Sequence, residues 1–320
     1  MDVTPDAKAP TPRQPWKLSF TIALVILLVG SCAAGSAALM AKVSEVGPVA
    51  SSFWRFALAA PLLVIGWIWV VNNDPGPKDG RELVVSGARD WAFMALSGAC
   101  FAGAQMMWFI GLEYTSVANA TLLLALTPLL AAPFLAWRFG EVIGRGFWLG
   151  MVLAIAGVAG LTLQSGAISQ TALIGDLYCL ISAVSLAGYF VTLTRLRRRY
   201  RAIPVIAGSS LFCAMTLGLV MLPGWIAGAG GWLPQTGEGW AVVLALALIS
   251  QVFGHGLMTF ALAHLPGRFA GASVLIQPVW ASALAWPLLG ESLGSVQLFG
   301  GVLVLAGIYV ASRKSAADDG

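Results

Sequence analysis

The chain has 320 residues, of which 58% are hydrophobic and 10% charged, with a net charge of +4. A water-soluble domain carries about 25% charged residues, so this chain cannot cover a water-facing surface and reads as a membrane protein. Long unbroken apolar runs, rather than short alternating ones, select helices over a closed barrel.

Residues 1–17 are polar and proline-rich and read as a disordered tail. Lys8, Arg13 and Lys17 ahead of an apolar run resemble a signal peptide, but the run 18–41 is too long for an h-region and reads as a retained first span. Further spans are expected at 48–71, 91–112, 117–137, 146–163, 173–194, 205–226, 240–262, 269–289 and 296–311. Each is long enough, or nearly so, for a hydrocarbon core of about 30 Å. Residues 312–320 form a second polar tail.

The fourth and fifth spans recur as the ninth and tenth. At a constant offset of 150, residues 125–158 align without a gap on 275–308. Pro128 falls on Pro278, Gly140 on Gly290 and Glu141 on Glu291. Gly150 falls on Gly300, Ala156 on Ala306 and Gly157 on Gly307. The chain is therefore read as two copies of one five-span unit, 18–163 and 173–311.

Of the 18 Lys and Arg, 16 fall on one side if the N-terminus is cytoplasmic, Lys42 falls on the other, and Arg55 lies within a span. The run Arg195–Arg201 is then a cytoplasmic anchor rather than a nucleic-acid patch. Five spans per copy is an odd number, so the second copy sits upside down relative to the first, as in many secondary transporters.

Here the chain resembles a known family. Arg55-Phe56, the Pro128 and Pro278 spans, Gly140-Glu141, Gly290-Glu291 and the glycine-rich fifth and tenth spans are similar to the tandem EamA domains of the drug/metabolite transporter superfamily. Within it, the chain looks most like bacterial exporters of aromatic amino acids of the YddG type. The resemblance implies an inner-membrane exporter.

No catalytic triad, HExxH motif or phosphate loop is legible, so no enzyme is expected. Cys32, Cys100, Cys179 and Cys213 each sit in an apolar run without a CxxC or a histidine cluster. No metal or cofactor is expected. All 14 acids fall in tails, loops or the end turns of spans, so the mid-membrane carboxylate of a drug-cation antiporter is missing.

Glu141 and Glu291 stand just ahead of the fifth and tenth spans, where a carboxylate can face a helix N-terminus, a structural helix-end role. Arg55, about two turns into the second span, has two readings: a structural partner of helix ends, or a contact for an anionic solute. Pro128 and Pro278 each free a carbonyl four residues earlier and are read as paired hinges or as packing kinks.

The polar residues at depth are Gln105, Asn119, Gln251, His255 and Gln277. Phe101, Gln105 and Trp108 share a face of the third span, Gln251 and His255 share one of the eighth, and Trp280 follows Pro278. Interhelical bonding explains any one of them. Together they point to a solute site of Phe101, Gln105, Trp108, Asn119, Gln251, His255 and Trp280. His255 is the candidate for a pH effect. The small residues Gly146, Gly150 and Ala154, and Gly307 and Ala311, fit close helix contact within a monomer or a weak dimer.

The expectation is thus an all-α, ten-span exporter with two inverted repeats and both termini cytoplasmic. It moves an amphipathic metabolite, an aromatic or other large neutral amino acid, by facilitated diffusion or exchange, with the bilayer as its other partner. Alternatives are efflux of lipophilic drugs and a membrane scaffold or receptor without transport. A nucleotide-sugar-like exchanger is disfavoured because no basic cluster lies at depth.

Overall fold

The computed structural model of the protein describes residues 19–73, 81–139, 145–228, 230–262, 268–291 and 294–315. Among them the regular structure is helical: α1 (Phe20–Gly35), α2 (Ala37–Lys42), α3 (Pro48–Asn73), α4 (Ala88–Tyr114), α5 (Val117–Leu124), α6 (Thr127–Phe139), α7 (Arg145–Ile168), α8 (Gln170–Arg199) and α9 (Ala202–Ile226). Then come α10 (Gly237–Ala245), a π-helix (Leu246–His255), α11 (Gly256–Leu262), α12 (Arg268–Leu289) and α13 (Ser295–Ser315).

Seven stretches among the described residues are long and apolar enough to cross a membrane: Phe20–Lys42, Pro48–Asn73, Ala88–Tyr114, Val117–Phe134, Gln170–Arg199, Ala202–Ile226 and Gly237–Ala261. Gly146–Gly157 and Leu298–Gly307 are shorter apolar stretches. Side-chain size, not polarity, separates the faces. On α1, Ala23, Leu27, Gly30, Ser31 and Ala34 are buried, while Ile22, Val25 and Val29 are exposed. Small residues let backbones approach, and large apolar ones are left for the acyl chains.

Local chemistry sets the helix starts. The Ser116 hydroxyl accepts from the Asn119 N–H at 3.2 Å, Ser169 from the Thr171 N–H at 3.1 Å, and Thr236 from the Gly239 N–H at 2.9 Å. Each occupies an N-terminal N–H that a helix leaves unpaired.

The helices pair in a repeated way. α4 lies along α8, and the π-helix with α11 lies along α1. α3 packs on α9, and α7 on α13. In the last pair a Cβ added at Gly157 would stand 2.6 Å from the Gly300 carbonyl and 2.8 Å from Val304, and one at Gly307 would stand 2.7 Å from the Ala154 nitrogen. Only hydrogen fits at either place.

Loops clasp both ends. At the end where α1 begins, the Glu82 N–H donates to the Arg199 carbonyl at 2.9 Å and the Arg201 N–H to the Glu82 carbonyl at 3.0 Å. The Arg199 guanidinium also bonds Glu82 at 3.1 Å and Asp90 at 2.7 Å. At the opposite end the Glu45 carboxylate accepts from the Gln235 N–H at 3.1 Å, the Thr236 N–H at 3.2 Å and the Thr236 hydroxyl at 2.9 Å.

Candidate functional site

The helices enclose a cavity of about 280 Å³. Its wall draws on both halves: α1 to α6 from the first, and α8, α9, the π-helix, α11 and α12 from the second. The volume is near the lower end of small-molecule sites, about 300–1,000 Å³.

Phe101 is the centre of the aromatic part. It stacks on Tyr189 with centroids 4.4 Å apart and 15° between planes. Its edges meet Phe56 at 5.0 Å and the His255 ring at 6.5 Å. Trp108 is buried nearby and donates from Nε1 to the Ala120 carbonyl at 3.3 Å.

The polar part is sparse. Arg55 is 2% exposed, on the wall, and donates from Nη1 to Gln105 Oε1 at 2.9 Å. Its guanidinium carbon lies 5.4 Å from the Phe56 ring centre. Gln251 is also 2% exposed, and its Oε1 has no hydrogen-bond partner among the described residues. His255 Nδ1 lies 3.0 Å from the Ser250 carbonyl, five residues back. The π-helix makes that spacing: its i→i+5 bonds widen the turn, and Gln251 and His255 both reach the wall.

Phe101, Gln105, Trp108, Gln251 and His255 thus lie on one wall with Pro128, Pro278 and Gln277. Two expected members lie elsewhere. Asn119 is buried on α5 off the wall, its N–H held by Ser116. Trp280 is 37% exposed and donates to Ser36 Oγ at 3.1 Å, because it points outward from α12 past α1. Arg55 is not at a helix end: it is the eighth residue of α3 and faces the cavity.

A model of the EamA-like transporter family matches residues 20–163 and again 173–313. The chain belongs to that family. It is therefore a multi-pass membrane transporter and not an enzyme. An uncharacterized transporter of Archaeoglobus fulgidus is 26% identical over 277 residues, 84% of this chain and 89% of the relative. A probable terminal-alkyne amino-acid exporter of Streptantibioticus cattleyicolor is 25% identical over 301 residues, 93% of this chain and 95% of the relative. A pseudopaline exporter of Pseudomonas aeruginosa is 25% identical over 208 residues, 64% of this chain and 69% of that one. A solved protein structure, 21% identical, superposes with a TM-score of 0.62 over 92% of this chain and 98% of that one, which speaks for the fold alone. The finer resemblance to aromatic amino-acid exporters of the YddG type gains no support from these relatives.

One EamA signature has partners the sequence did not disclose. Glu291 follows α12, but its carboxylate does not face α13. Oε2 accepts from the Val117 N–H, the first residue of α5, at 2.9 Å, and Oε1 lies 3.3 Å from Lys42 Nζ. One acid of the second half thus caps a helix of the first. Glu141 lies outside the described residues. Lys42 also donates to the Thr115 carbonyl at 3.0 Å, and the Thr115 hydroxyl donates to Asp176 at 2.7 Å. Asp176, expected at a span end, is 2% exposed, because α8 begins at Gln170 and carries it two turns inward. It stays off the cavity wall.

The wall residues missed by sequence reasoning are chiefly Leu186, Tyr189, Phe190 and Leu193 of α8. They follow the i, i+3, i+4, i+7 stripe of a helix face. In a span that is apolar on every side, that stripe has no polar background to stand out against.

Proposed function

We propose that this transporter exports large neutral amino acids, aromatic ones included, across the bacterial inner membrane. The carrying observation is the Phe101-centred aromatic surface beside a few hydrogen-bonding groups in a cavity walled by both halves. An aromatic or long aliphatic side chain packs there at little conformational cost. The unmet acceptor of Gln251 suits the solute's ammonium group. A lipophilic drug without a donor would leave that acceptor unpaired, which disfavours the efflux alternative. The name of the amino-acid exporter of Streptantibioticus cattleyicolor supports the substrate class.

On this reading the chain crosses the membrane ten times with both termini in the cytoplasm, and its two five-helix halves rock around the cavity in alternating access. Transport runs by facilitated diffusion or exchange. Among the described residues no Asp or Glu lines the wall, so these offer no carboxylate to carry a proton against a gradient. An internally made amino acid already has an outward gradient.

Counterflow in proteoliposomes tests the proposal. Phenylalanine, tryptophan or leucine inside the vesicles should drive uptake of the labelled form, with no accumulation when a pH gradient is imposed at equal substrate. Exchange confined to hydrophobic cations, or sustained accumulation that collapses with the pH gradient, would overturn it.

A further inference from the structure

We infer that Arg55 is the carboxylate anchor of the cavity, so that the solute is selected as an anion or a zwitterion rather than as an apolar body. The inference rests on the reading of this cavity as the solute site. Arg55 sits two turns inside an apolar helix, 2% exposed and on the wall. Arginine is always charged, and a charge removed from water needs a counter-charge or several acceptors. Here its hydrogen-bond acceptor among the described residues is one neutral amide, Gln105, and its Nε meets no acceptor among them.

The carboxylates that form ion pairs among the described residues are engaged elsewhere: Glu291 with Lys42, and Glu82 and Asp90 with Arg199. A purely structural arginine would be expected beside one of them or among helix-end carbonyls. What lies around Arg55 instead is the Phe56 ring, 5.4 Å away, the Cys213 and His255 side chains, and the cavity. A guanidinium there is a planar donor set waiting for a planar acceptor, and it binds a carboxylate by charge-assisted hydrogen bonds. A phosphate would call for a second cation, and among the described residues neither lysine nor another arginine lines the wall. The same charge repels lipophilic amines.

The test uses three probes of one shape: phenylpropanoate, phenylpropanamide and phenethylammonium. Binding to the purified full-length transporter in lipid nanodiscs is read by tryptophan fluorescence and by thermal shift. The carboxylate should bind about tenfold tighter than the amide, the ratio expected of a single charge-assisted hydrogen bond, and the ammonium weakest of the three. Arg55→Gln should erase that preference, and Arg55→Lys should keep part of it. Equal binding of carboxylate and amide to the wild type, no binding of any probe, or a preference left intact in Arg55→Gln would each overturn the anchor. The wild-type comparison decides the matter even if the variants fold poorly. Carboxylate preference without amino-acid counterflow would sink the export reading alone, and counterflow without carboxylate preference would sink the anchor alone.

Discussion

Pro128 and Pro278 occupy the same register of the two halves, yet the chain does different things around them. In the first half the helix stops at Leu124, turns through Ala125 and Leu126, and restarts at Thr127. In the second half α12 runs unbroken through Pro278. The residue before each proline accounts for the contrast. The Thr127 hydroxyl donates to the Leu124 carbonyl at 2.6 Å, taking up the acceptor that the proline frees. Pro128 then stands in the first turn of α6, where no N–H is needed. The equivalent Gln277 is too long to fold back in this way and instead reaches Met258. A proline therefore marks a weak point, and its neighbour decides whether the helix breaks there.

If the halves differ only where their local contacts differ, substitutions at mirrored contacts should act alike. Gly157→Leu and Gly307→Leu should each cost about 3 kcal/mol, seen as equal falls in thermal midpoint in micelles, because both force side chains into a backbone contact. Unequal falls would mean that the α7–α13 contact is not shared evenly.

The two buried glutamines should act unequally. Gln105→Leu removes the acceptor of Arg55 and should cost about 2 kcal/mol. Gln251→Leu removes an unpaired acceptor and should leave stability nearly unchanged while slowing amino-acid counterflow. Equal loss of stability in the two would remove the distinction.

At the prolines, Pro278→Ala should add about 1 kcal/mol, since α12 is already helical and gains one N–H donor, and it should slow exchange by stiffening the helix. Pro128→Ala alone should change exchange little, because Thr127 still holds the Leu124 carbonyl. Slowing should appear in the pair Thr127→Val and Pro128→Ala. A strong effect of Pro128→Ala by itself would make the proline, not the threonine, the cause of the break.

The smallest effect concerns the end clasps. Burial pushes the Glu45 carboxyl up, but the bonds from the Thr236 hydroxyl, the Thr236 N–H and the Gln235 N–H outweigh it and leave it below the usual carboxylate range. Its contribution is present above the unfolded carboxylate pKa and is lost as pH falls through the lowered folded value. Glu45→Gln should flatten that part of the acid dependence of thermal stability by a small but measurable amount. The other clasp, Arg199 with Glu82, is half-exposed and should weaken with salt instead.

The helical class and the register of the repeats were legible because lipid demands long apolar runs and makes every buried polar residue conspicuous. Gln105, Gln251 and His255 stood out for that reason. Tyr189 did not, being one aromatic among apolar neighbours whose rotation toward the cavity depends on how α8 packs against α4. The break at Ala125 hinged on one hydroxyl, and the π-helix on a backbone register that composition does not encode. Glu291 stands ahead of α13 in the sequence but caps α5, and which helix such an acid meets is a matter of tertiary placement.

The α7–α13 contact has a consequence for how such a chain could arise and be taken apart. Gly157 meets Gly300 and Val304, while Gly307 meets Gly150 and Ala154. Exchanging each position with the one 150 residues away turns the first set of contacts into the second. That is the self-complementarity of two identical subunits related by a twofold axis. A half-length ancestral polypeptide would have carried both sides of this joint, and gene fusion would have altered only the concentration at which the sides meet. Two fragments cut between the halves and co-expressed still hold that addressing information, written in glycines rather than in the linker.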